Sequence, residues 1–355
     1  MGEETFLMEL AFPDAQRVFN RLYYQRGGRY AEDFTTANSR GPRLAYAEAE
    51  DFYKHICGLK KRGELPEAVR ILELGCGNGN GTAFFLDRLK QLDEKGKTGL
   101  FGRVECVLAD FSSQMLDDAR LNRHLQAHRD ILTFTHTNVE TLKLPGEDFL
   151  LVRSNELFDD LPTQMLVFEE DQFQEVWLSM HLSQRVPLHT RDGARIARGD
   201  FARMAQHLER WLSSVDGSFV KHLELEAVRR RAVPDLTTIL LLAEEFGRMP
   251  SGITIPVPLA ASSVLMQLKP LMNRHGRLDA FDYGFNSLSE LKKLQPAIFR
   301  TPGALTTFVN FPYLTRFSKI AGFRHASVEP QAAFIGGKRK PAPEDAHFHH
   351  LRLEA

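Results

Sequence analysis

The chain has 355 residues, 43% of them apolar, and a formal net charge of −1. This length can bury one large core with an embellishment, or two domains, and the near-zero charge gives no reason to expect nucleic acid or an anionic membrane as a partner. The sequence contains no apolar run of the roughly 18 residues that a membrane-spanning helix needs.

The first predicted region, residues 1–68, is a lobe of helices joined by a loop rich in Tyr, Gly and Thr. Its first residues carry acid where a signal or transit peptide would carry base. The chain has three cysteines, without the spacing of a metal site or a disulfide, at positions Cys57, Cys76 and Cys106. We therefore expect reduced thiols, no metal site and a cytoplasmic location.

The next element is an apolar strand, residues 70–74, which runs through Glu73 into glycines at Gly75, Gly77, Gly79 and Gly81. A helix follows from about Thr82, with apolar residues at helical spacing. Glycines at a strand-to-helix turn let backbone N–H groups approach a ligand closely. The alternative is a glycine-rich turn that holds nothing.

The spacing of these glycines favours S-adenosylmethionine over a dinucleotide. A dinucleotide-binding loop that starts at Gly75 needs a third glycine at position 80, which is Asn80. The carboxylate of Glu73 suits a ligand that carries a sulfonium and an ammonium group, and it disfavours a phosphate. We predict that Glu73, Gly75, Gly77 and Gly79 bind the cofactor.

Helices and strands then alternate, which predicts a parallel α/β sheet. The second strand, residues 103–109, ends at Asp110 and Phe111, where a carboxylate can accept hydrogen bonds from ribose hydroxyls; Asp110 as a helix N-cap is the alternative. The third strand, residues 131–136, leads to Asn138 and Val139. These two are predicted to read the adenine edge, unless Asn138 only shapes the turn.

The fourth strand, residues 148–153, leads into a run of acidic residues that contains Glu156 and Asp159. Methyl transfer is an in-line displacement, so the protein mainly aligns the acceptor and removes a proton. We predict that Asn155, Glu156 and Asp159 are catalytic, that Asn155 also contacts the cofactor, and that Glu156 holds or deprotonates the acceptor. The alternative is a solvated helix start, with acids favoured by the helix dipole.

The remaining elements complete the predicted division of the chain. Residues 165–180 suit a β-hairpin, residues 187–250 are predicted to be a helical insertion or cap, and the sheet resumes at residue 251 and closes with strands near Ala326 and Ala333. The tail, with His347, His349 and His350, is predicted to be flexible and solvated. The predicted parts are residues 1–68, 69–186, 187–250, 251–337 and 338–355. The insertion could cap the cofactor mouth, with Trp211 and residues 236–246 as apolar walls, or serve only for dimerisation or as a solvated decoration.

Four motifs, in order along the chain, resemble those of one family. Residues 155–162 (Asn-Glu-Leu-Phe-Asp-Asp-Leu-Pro) are similar to the Asn-Glu-Phe-Phe-Asp-Ala-Leu-Pro signature of the MidA family. Residues 32–36, 282–285 and 305–311 resemble its Gly-Asp-Phe-x-Thr, Asp-Tyr-Gly-Tyr and Leu-Thr-Ala-His-Val-Asp-Phe motifs.

The resemblance implies a Rossmann-like class I S-adenosylmethionine-dependent methyltransferase. This fold has a mainly parallel seven-stranded sheet with helices on both faces, here with the helical N-terminal lobe and the helical insertion. Mitochondrial members of the family are arginine methyltransferases that assist the assembly of respiratory complex I. The first loop motif adds Phe34 and Thr35 to the predicted cofactor-binding residues, within a loop, residues 30–36, that would cover the cofactor.

The chain departs from the family where the acceptor would be recognised. The His and Asp of the late motif are Phe308 and Asn310 here, and the acid that precedes Leu-Thr is Ala304. We therefore expect a methyltransferase whose acceptor is a protein arginine or a small molecule. The alternative is a non-catalytic assembly factor that keeps the fold and the cofactor site. The sequence leaves open whether the chain forms a homodimer.

Overall fold

The computed structural model describes residues 4–24, 41–205, 214–300, 304–336 and 347–355. The predicted cofactor residues Phe34 and Thr35, the covering loop of residues 30–36, and Trp211 lie outside the described residues.

Strands and helices are numbered in chain order. The strands are β1 (Glu4–Ala11), β2 (Val69–Leu74), β3 (Val104–Asp110), β4 (Leu132–His136), β5 (Phe149–Asn155), β6 (Gln164–Glu169), β7 (Gln172–Ser183), β8 (Leu188–His189), β9 (Arg195–Ile196), β10 (Glu224–Ala232), β11 (Thr254–Val257), β12 (Met272–Phe285), β13 (Ile298–Arg300), β14 (Leu305–Thr307), β15 (Val309–Asn310), β16 (His325–Pro330) and β17 (Phe348–Glu354). The helices are α1 (Phe12–Tyr24), α2 (Arg43–Arg62), α3 (Asn80–Gly96), α4 (Ser113–Leu121), α5 (Arg123–Gln126), α6 (Arg198–Ala205), α7 (Leu236–Phe246), α8 (Leu259–Leu268), α9 (Leu288–Lys293), α10 (Phe311–Ile320) and α11 (Gln331–Phe334). None of the helices within the described ranges is both long and apolar enough to cross a membrane.

The chain divides into two compact units, each drawn from several parts of the sequence. One unit takes residues 27–157, 262–283 and 317–355, and the other takes residues 1–26, 158–261 and 284–316. We call them the parallel-sheet unit and the antiparallel-sheet unit.

The parallel-sheet unit is built on a sheet with the strand order β16-β17-β12-β5-β2-β3-β4. Neighbouring strands from β12 to β4 are parallel, and β17 is antiparallel to both of its neighbours. Apolar residues of α2 and α3 pack with those of β2, β3 and β5 in one core. The predicted, mainly parallel sheet of seven strands is confirmed, and β15 pairs with the end of β12 as an eighth strand.

The prediction of a flexible tail is wrong for residues 347–355. Strand β17 pairs with β12 and β16, and His349 and His350 are buried in it. Both ring nitrogens of His350 face carboxylates, Asp279 at 2.9 Å and Glu329 at 3.2 Å. Burial opposes a charged imidazole, but these carboxylates outweigh it and raise the pKa of His350. The prediction of a strand near Ala333 is also wrong, since Ala333 lies in α11. Strand β17 closes the sheet instead.

The antiparallel-sheet unit is built on a sheet with the order β1-β7-β6-β11, in which β10 also pairs with β7. The predicted hairpin of residues 165–180 is confirmed as β6 and β7, which are adjacent and antiparallel. Strand β1 pairs along β7, so the N-terminal region is not helical throughout. Its two helices, α1 and α2, agree with the prediction.

The prediction of a helical insertion over residues 187–250 is wrong in part. The segment contains α6 and α7, but it also contains the hairpin of β8 with β9 and the nine-residue strand β10. Arginine favours a helix by its intrinsic propensity, but β10 forms a strand because β7 supplies a backbone partner along its whole length.

Candidate functional site

The polarity of the sheet and its strand order locate a crevice in the parallel-sheet unit. From β2 the chain proceeds to β3 and β4 on one side of the sheet, and then to β5 and β12 on the other side. In open α/β sheets, ligands bind beyond the carboxyl ends of the strands, where the strand order reverses. This point lies between β2 and β5. The predicted cofactor loop follows β2, and Asn155 and Glu156 lie at the end of β5.

The turn after β2 together with the first two residues of α3, residues 75–81, is called the glycine loop. The N–H groups of Gly75 and Cys76 donate to the carbonyl of Ala109 on β3, at 2.9 and 3.3 Å. The backbone φ angles of Gly75, Gly77 and Gly79 are +67°, +52° and +76°, a region that glycine alone adopts without strain. The sequence therefore needs glycine at each of the three positions for the turn itself.

The surroundings of these glycines differ in a way that separates packing from ligand access. A Cβ atom on Gly79 would lie 2.1 Å from Cδ1 of Leu125, and one on Gly75 would lie 3.1 Å from Cδ1 of Leu157. Among the described residues, nothing lies within 4 Å of the point where a Cβ on Gly77 would be. Gly75 and Gly79 are thus packed against the protein, whereas Gly77 borders open space in which a ligand can approach the backbone.

Asp110 ends β3 beside this open space, and it fits the predicted role of a ribose acceptor. Its two carboxylate oxygens accept from the N–H groups of Gly77, at 3.1 Å, and Ser112, at 2.9 Å. The helix cap is Ser112, whose hydroxyl accepts from the N–H of Met115. Phe111, the next residue, is half-buried. Asp110 is therefore not the N-cap residue, and its carboxylate is fixed next to Gly77.

The ionisation of Asp110 predicts how cofactor binding depends on pH. Burial raises the pKa of Asp110 to about 6, although the N–H groups of Ser112 and Gly77 favour the charged form. Because the raised pKa favours the protonated acid in the folded protein, the contribution of Asp110 to stability is present at low pH and declines as the pH rises through about 6. Ribose hydroxyls donate more strongly to the carboxylate than to the neutral acid.

We expect cofactor affinity to rise with pH, whereas the contribution of Asp110 to stability falls. Titration calorimetry with S-adenosylhomocysteine between pH 5 and 8 should show weaker binding below about pH 6. The variant Asp110→Asn should lose that dependence and should bind roughly tenfold more weakly at pH 8, since hydrogen bonds to charged groups contribute about 1.5–3 kcal/mol. Equal affinity of the wild type at pH 5 and 8 would contradict the role of Asp110.

The turn after β4 carries Asn138 and Val139. The side-chain oxygen of Asn138 accepts from the N–H of Glu140 at 3.0 Å, so the residue does shape the turn, and Val139 is buried. Gln267 of α8 anchors the same turn: its amide oxygen accepts from the N–H of Leu142 at 2.9 Å, and its amide nitrogen donates to the carbonyl of Glu140 at 3.1 Å. No local signal in the sequence points to Gln267, because its partners lie more than a hundred residues away. Contact of Asn138 and Val139 with adenine stays a prediction.

Asn155 is the last residue of β5, and Glu156 follows it at the crevice. Glu156 has a φ of +49°, a left-handed conformation that is strained for any residue with a side chain. Its N–H donates to the carbonyl of Phe281 at 2.8 Å, its carboxylate accepts from the amide of Asn155 at 3.3 Å, and the next N–H, of Leu157, donates to Asp282. The structure thus holds Glu156 in a strained position, as functional residues often are.

Asp159 belongs to the antiparallel-sheet unit, where it is buried. Its carbonyl accepts from the side chain of Gln16 at 2.9 Å and from the N–H of Thr307 at 3.0 Å. These contacts give its backbone a structural role within that unit. A catalytic role for Asp159 stays a prediction.

Glu73 is buried at the end of β2, and its surroundings were missed from the sequence. One oxygen, Oε2, lies 3.2 Å from Nη1 of Arg153 and also accepts from the hydroxyl of Thr82. Arg153 interrupts the apolar run of β5, and a lone charge in a buried strand was the signal that could have revealed it. The predicted contact of Glu73 with the cofactor therefore has to coexist with an internal ion pair.

Comparison with known proteins supplies the context for this site. A family model described as "Putative S-adenosyl-L-methionine-dependent methyltransferase" matches residues 56–327. A protein from Burkholderia thailandensis, crystallised with S-adenosyl-homocysteine, is similar in fold, with a TM-score of 0.63 and 17% identity over 98% of this chain and 88% of that one. A native structure of a protein of the same superfamily and organism gives a TM-score of 0.59 at 16% identity, over 98% of this chain and 87% of that one. No curated protein matches the chain in sequence.

Proposed function

This chain belongs to the family of S-adenosyl-L-methionine-dependent methyltransferases whose model covers residues 56–327, and on that premise we propose that it methylates an acceptor that Glu156 holds at the crevice between β2 and β5. The cofactor supplies an electrophilic methyl group on a sulfonium. The observation that carries the proposal is the juxtaposition of an open glycine loop after β2 with a strained acid after β5.

The residues at the crevice suit the parts of this cofactor. Gly77 gives access to the backbone of the loop, the carboxylate of Asp110 can accept from ribose hydroxyls, and the half-buried ring of Phe111 adjoins it. Further proposed contacts are Glu73, Gly75 and Gly79 for the methionine part, Asn138 and Val139 for adenine, and Asn155 beside the methyl group. Phe34 and Thr35 are proposed from the motif resemblance alone.

Glu156 is proposed to act on the acceptor. A carboxylate can orient a cationic or protic nucleophile by hydrogen bonding and can take its proton. The strained backbone and the bond from Asn155 limit the positions that the carboxylate can take, and a fixed carboxylate loses little freedom when the acceptor binds.

A protein arginine is the acceptor class that we propose, on the resemblance of residues 155–162 to the MidA signature. The late motif gives no further support to this class. Asn310 is buried, and its amide donates to the carbonyl of Pro256 at 3.1 Å and to the carboxylate of Glu245 at 3.3 Å. This position is structural here, so recognition of a guanidinium would depend on Glu156.

The acceptor can be tested by transfer of labelled methyl groups. The protein is incubated with labelled S-adenosylmethionine and either arginine-containing peptides or the same peptides with lysine in place of arginine, and in parallel with a small-molecule extract of cells. We expect label in the arginine peptides alone, and none with Glu156→Gln. Label in the small-molecule fraction alone would contradict the arginine proposal while leaving the methyltransferase proposal intact.

A further inference from the structure

Three charged side chains are buried together beneath the glycine loop. Arg153 of β5 lies between Glu48 of α2 and Glu73 of β2, and all three side chains are at most 8% exposed. The guanidinium contacts both carboxylate oxygens of Glu48, at 2.5 and 3.3 Å, and reaches Oε2 of Glu73 at 3.2 Å. It also lies over the ring of Phe85 on α3, at 4.5 Å. We call Glu48, Arg153 and Glu73 the buried ion triad.

The charge of the buried ion triad does not balance. With two carboxylates and one guanidinium its formal charge is −1, and burial of an unmatched charge is costly. Burial raises the pKa of Glu48 to about 7, although the guanidinium of Arg153 favours the charged form. Because a pKa of about 7 lets Glu48 take up a proton, the triad can become neutral on its own; a cation next to Glu73 would balance it with both carboxylates charged.

The two oxygens of Glu73 have different surroundings. Arg153 and the hydroxyl of Thr82 both contact Oε2. The other oxygen, Oε1, lies 3.9 Å from the point where a Cβ on Gly81 would be, at the glycine loop. One oxygen is thus anchored inside the protein while the other is directed to the loop.

We propose that Arg153 is a positioning residue for the cofactor: clamped by Glu48, it holds Oε2 of Glu73 so that Oε1 receives the ammonium group of the cofactor's methionine part. The inference rests on the proposed function, and it assigns a role to Arg153 and Glu48 that the glycine motif does not contain. Arg153 acts through Glu73 and does not itself contact the cofactor.

The test compares two ligands that differ in the part recognised by Glu73. S-adenosylhomocysteine carries the ammonium group, whereas 5′-methylthioadenosine lacks the amino-acid part and depends on the ribose and adenine contacts. In Arg153→Gln, we expect S-adenosylhomocysteine to bind at least tenfold more weakly and 5′-methylthioadenosine to change by less than twofold, by calorimetry. Arg70→Gln is the matched control, because Arg70 lies on the same strand as Glu73 but pairs with Glu105 at the exposed end; both affinities should stay as in the wild type.

Two further variants keep the test decisive. Arg153→Lys retains the positive charge and should fold even if Arg153→Gln does not. Its affinity for S-adenosylhomocysteine should fall by less than that of Arg153→Gln, and its affinity for 5′-methylthioadenosine should not change. When Glu73→Gln is already present, adding Arg153→Gln should not lower the affinity for S-adenosylhomocysteine any further.

The role of Arg153 would be overturned if the affinities for both ligands fell equally, or if neither affinity fell. It would also be overturned if the losses of affinity from Arg153→Gln and Glu73→Gln were additive. Failure of the wild type to bind either ligand would instead overturn the cofactor site, and with it the proposed function.

Discussion

Cofactor affinity is expected to fall by roughly 10- to 100-fold when Gly77 is replaced by leucine, since the new side chain would block the close approach of the cofactor to the backbone, and a lost hydrogen bond to a charged group costs about 1.5–3 kcal/mol. The φ angle of Gly77 is +52°, and the new side chain would enter the open space that borders the loop. Calorimetry with S-adenosylhomocysteine measures the loss directly.

Gly63 provides a matched control for this substitution. It also has a positive φ, +70°, and no atom in the described part of the chain lies within 4 Å of the point where its Cβ would be, but it caps the end of α2 away from the glycine loop. Gly63→Leu should therefore carry a similar strain, visible as a lower melting temperature, while binding the cofactor normally. If the two variants lost affinity equally, the effect at Gly77 would be one of folding, and the glycine loop would not be the cofactor site.

The second large effect is expected at Glu156. Replacing it with glycine should lower turnover by about 100-fold or more, the usual contribution of a positioned acid or base, while the affinity for S-adenosylhomocysteine changes little. Stability should rise by roughly 0.5 kcal/mol, because relief of about 1–2 kcal/mol of left-handed strain outweighs the extra unfolded-state entropy of glycine, about 0.4–1 kcal/mol. Methyl-transfer assays and thermal unfolding of the same preparation separate the two quantities.

Glu170 is the matched control for Glu156. It is the same residue type with nearly the same φ, +50°, but it lies in the turn between β6 and β7. Glu170→Gly should gain similar stability and keep full turnover. Full turnover in Glu156→Gly would contradict a role in acceptor positioning, and an equal loss of affinity and turnover would make Glu156 a structural residue of the cofactor site.

The parallel sheet could be predicted because its signals are local. The strands β2, β3 and β5 are largely apolar and largely buried, which is typical of parallel sheets. Since parallel strands end at one edge, the residues after them could be grouped into one site before any contact was known. Gly77 and Asp110 are hydrogen-bonded to each other as that reasoning implies.

The antiparallel sheet could not be predicted in full. The strand β10 has the sequence Glu-Leu-Glu-Ala-Val-Arg-Arg-Arg-Ala and is exposed at most of its positions, so it shows no clear apolar alternation. It pairs with β7, some fifty residues earlier in the chain, and β1 pairs with the other edge of β7 from still farther away. Strand formation there depends on these remote backbone partners, which local propensity does not contain.

The sequence by itself determined the positions of the turns and of the residues that follow the strands. A left-handed backbone is free of strain only at glycine, so the local sequence specifies the glycine loop. The tertiary structure alone decided which charged groups are buried, because a charge leaves water only where a partner of opposite charge is already held in place. The fold brings Glu48 and Glu73 to Arg153, and Asp279 and Glu329 to His350, from other parts of the chain.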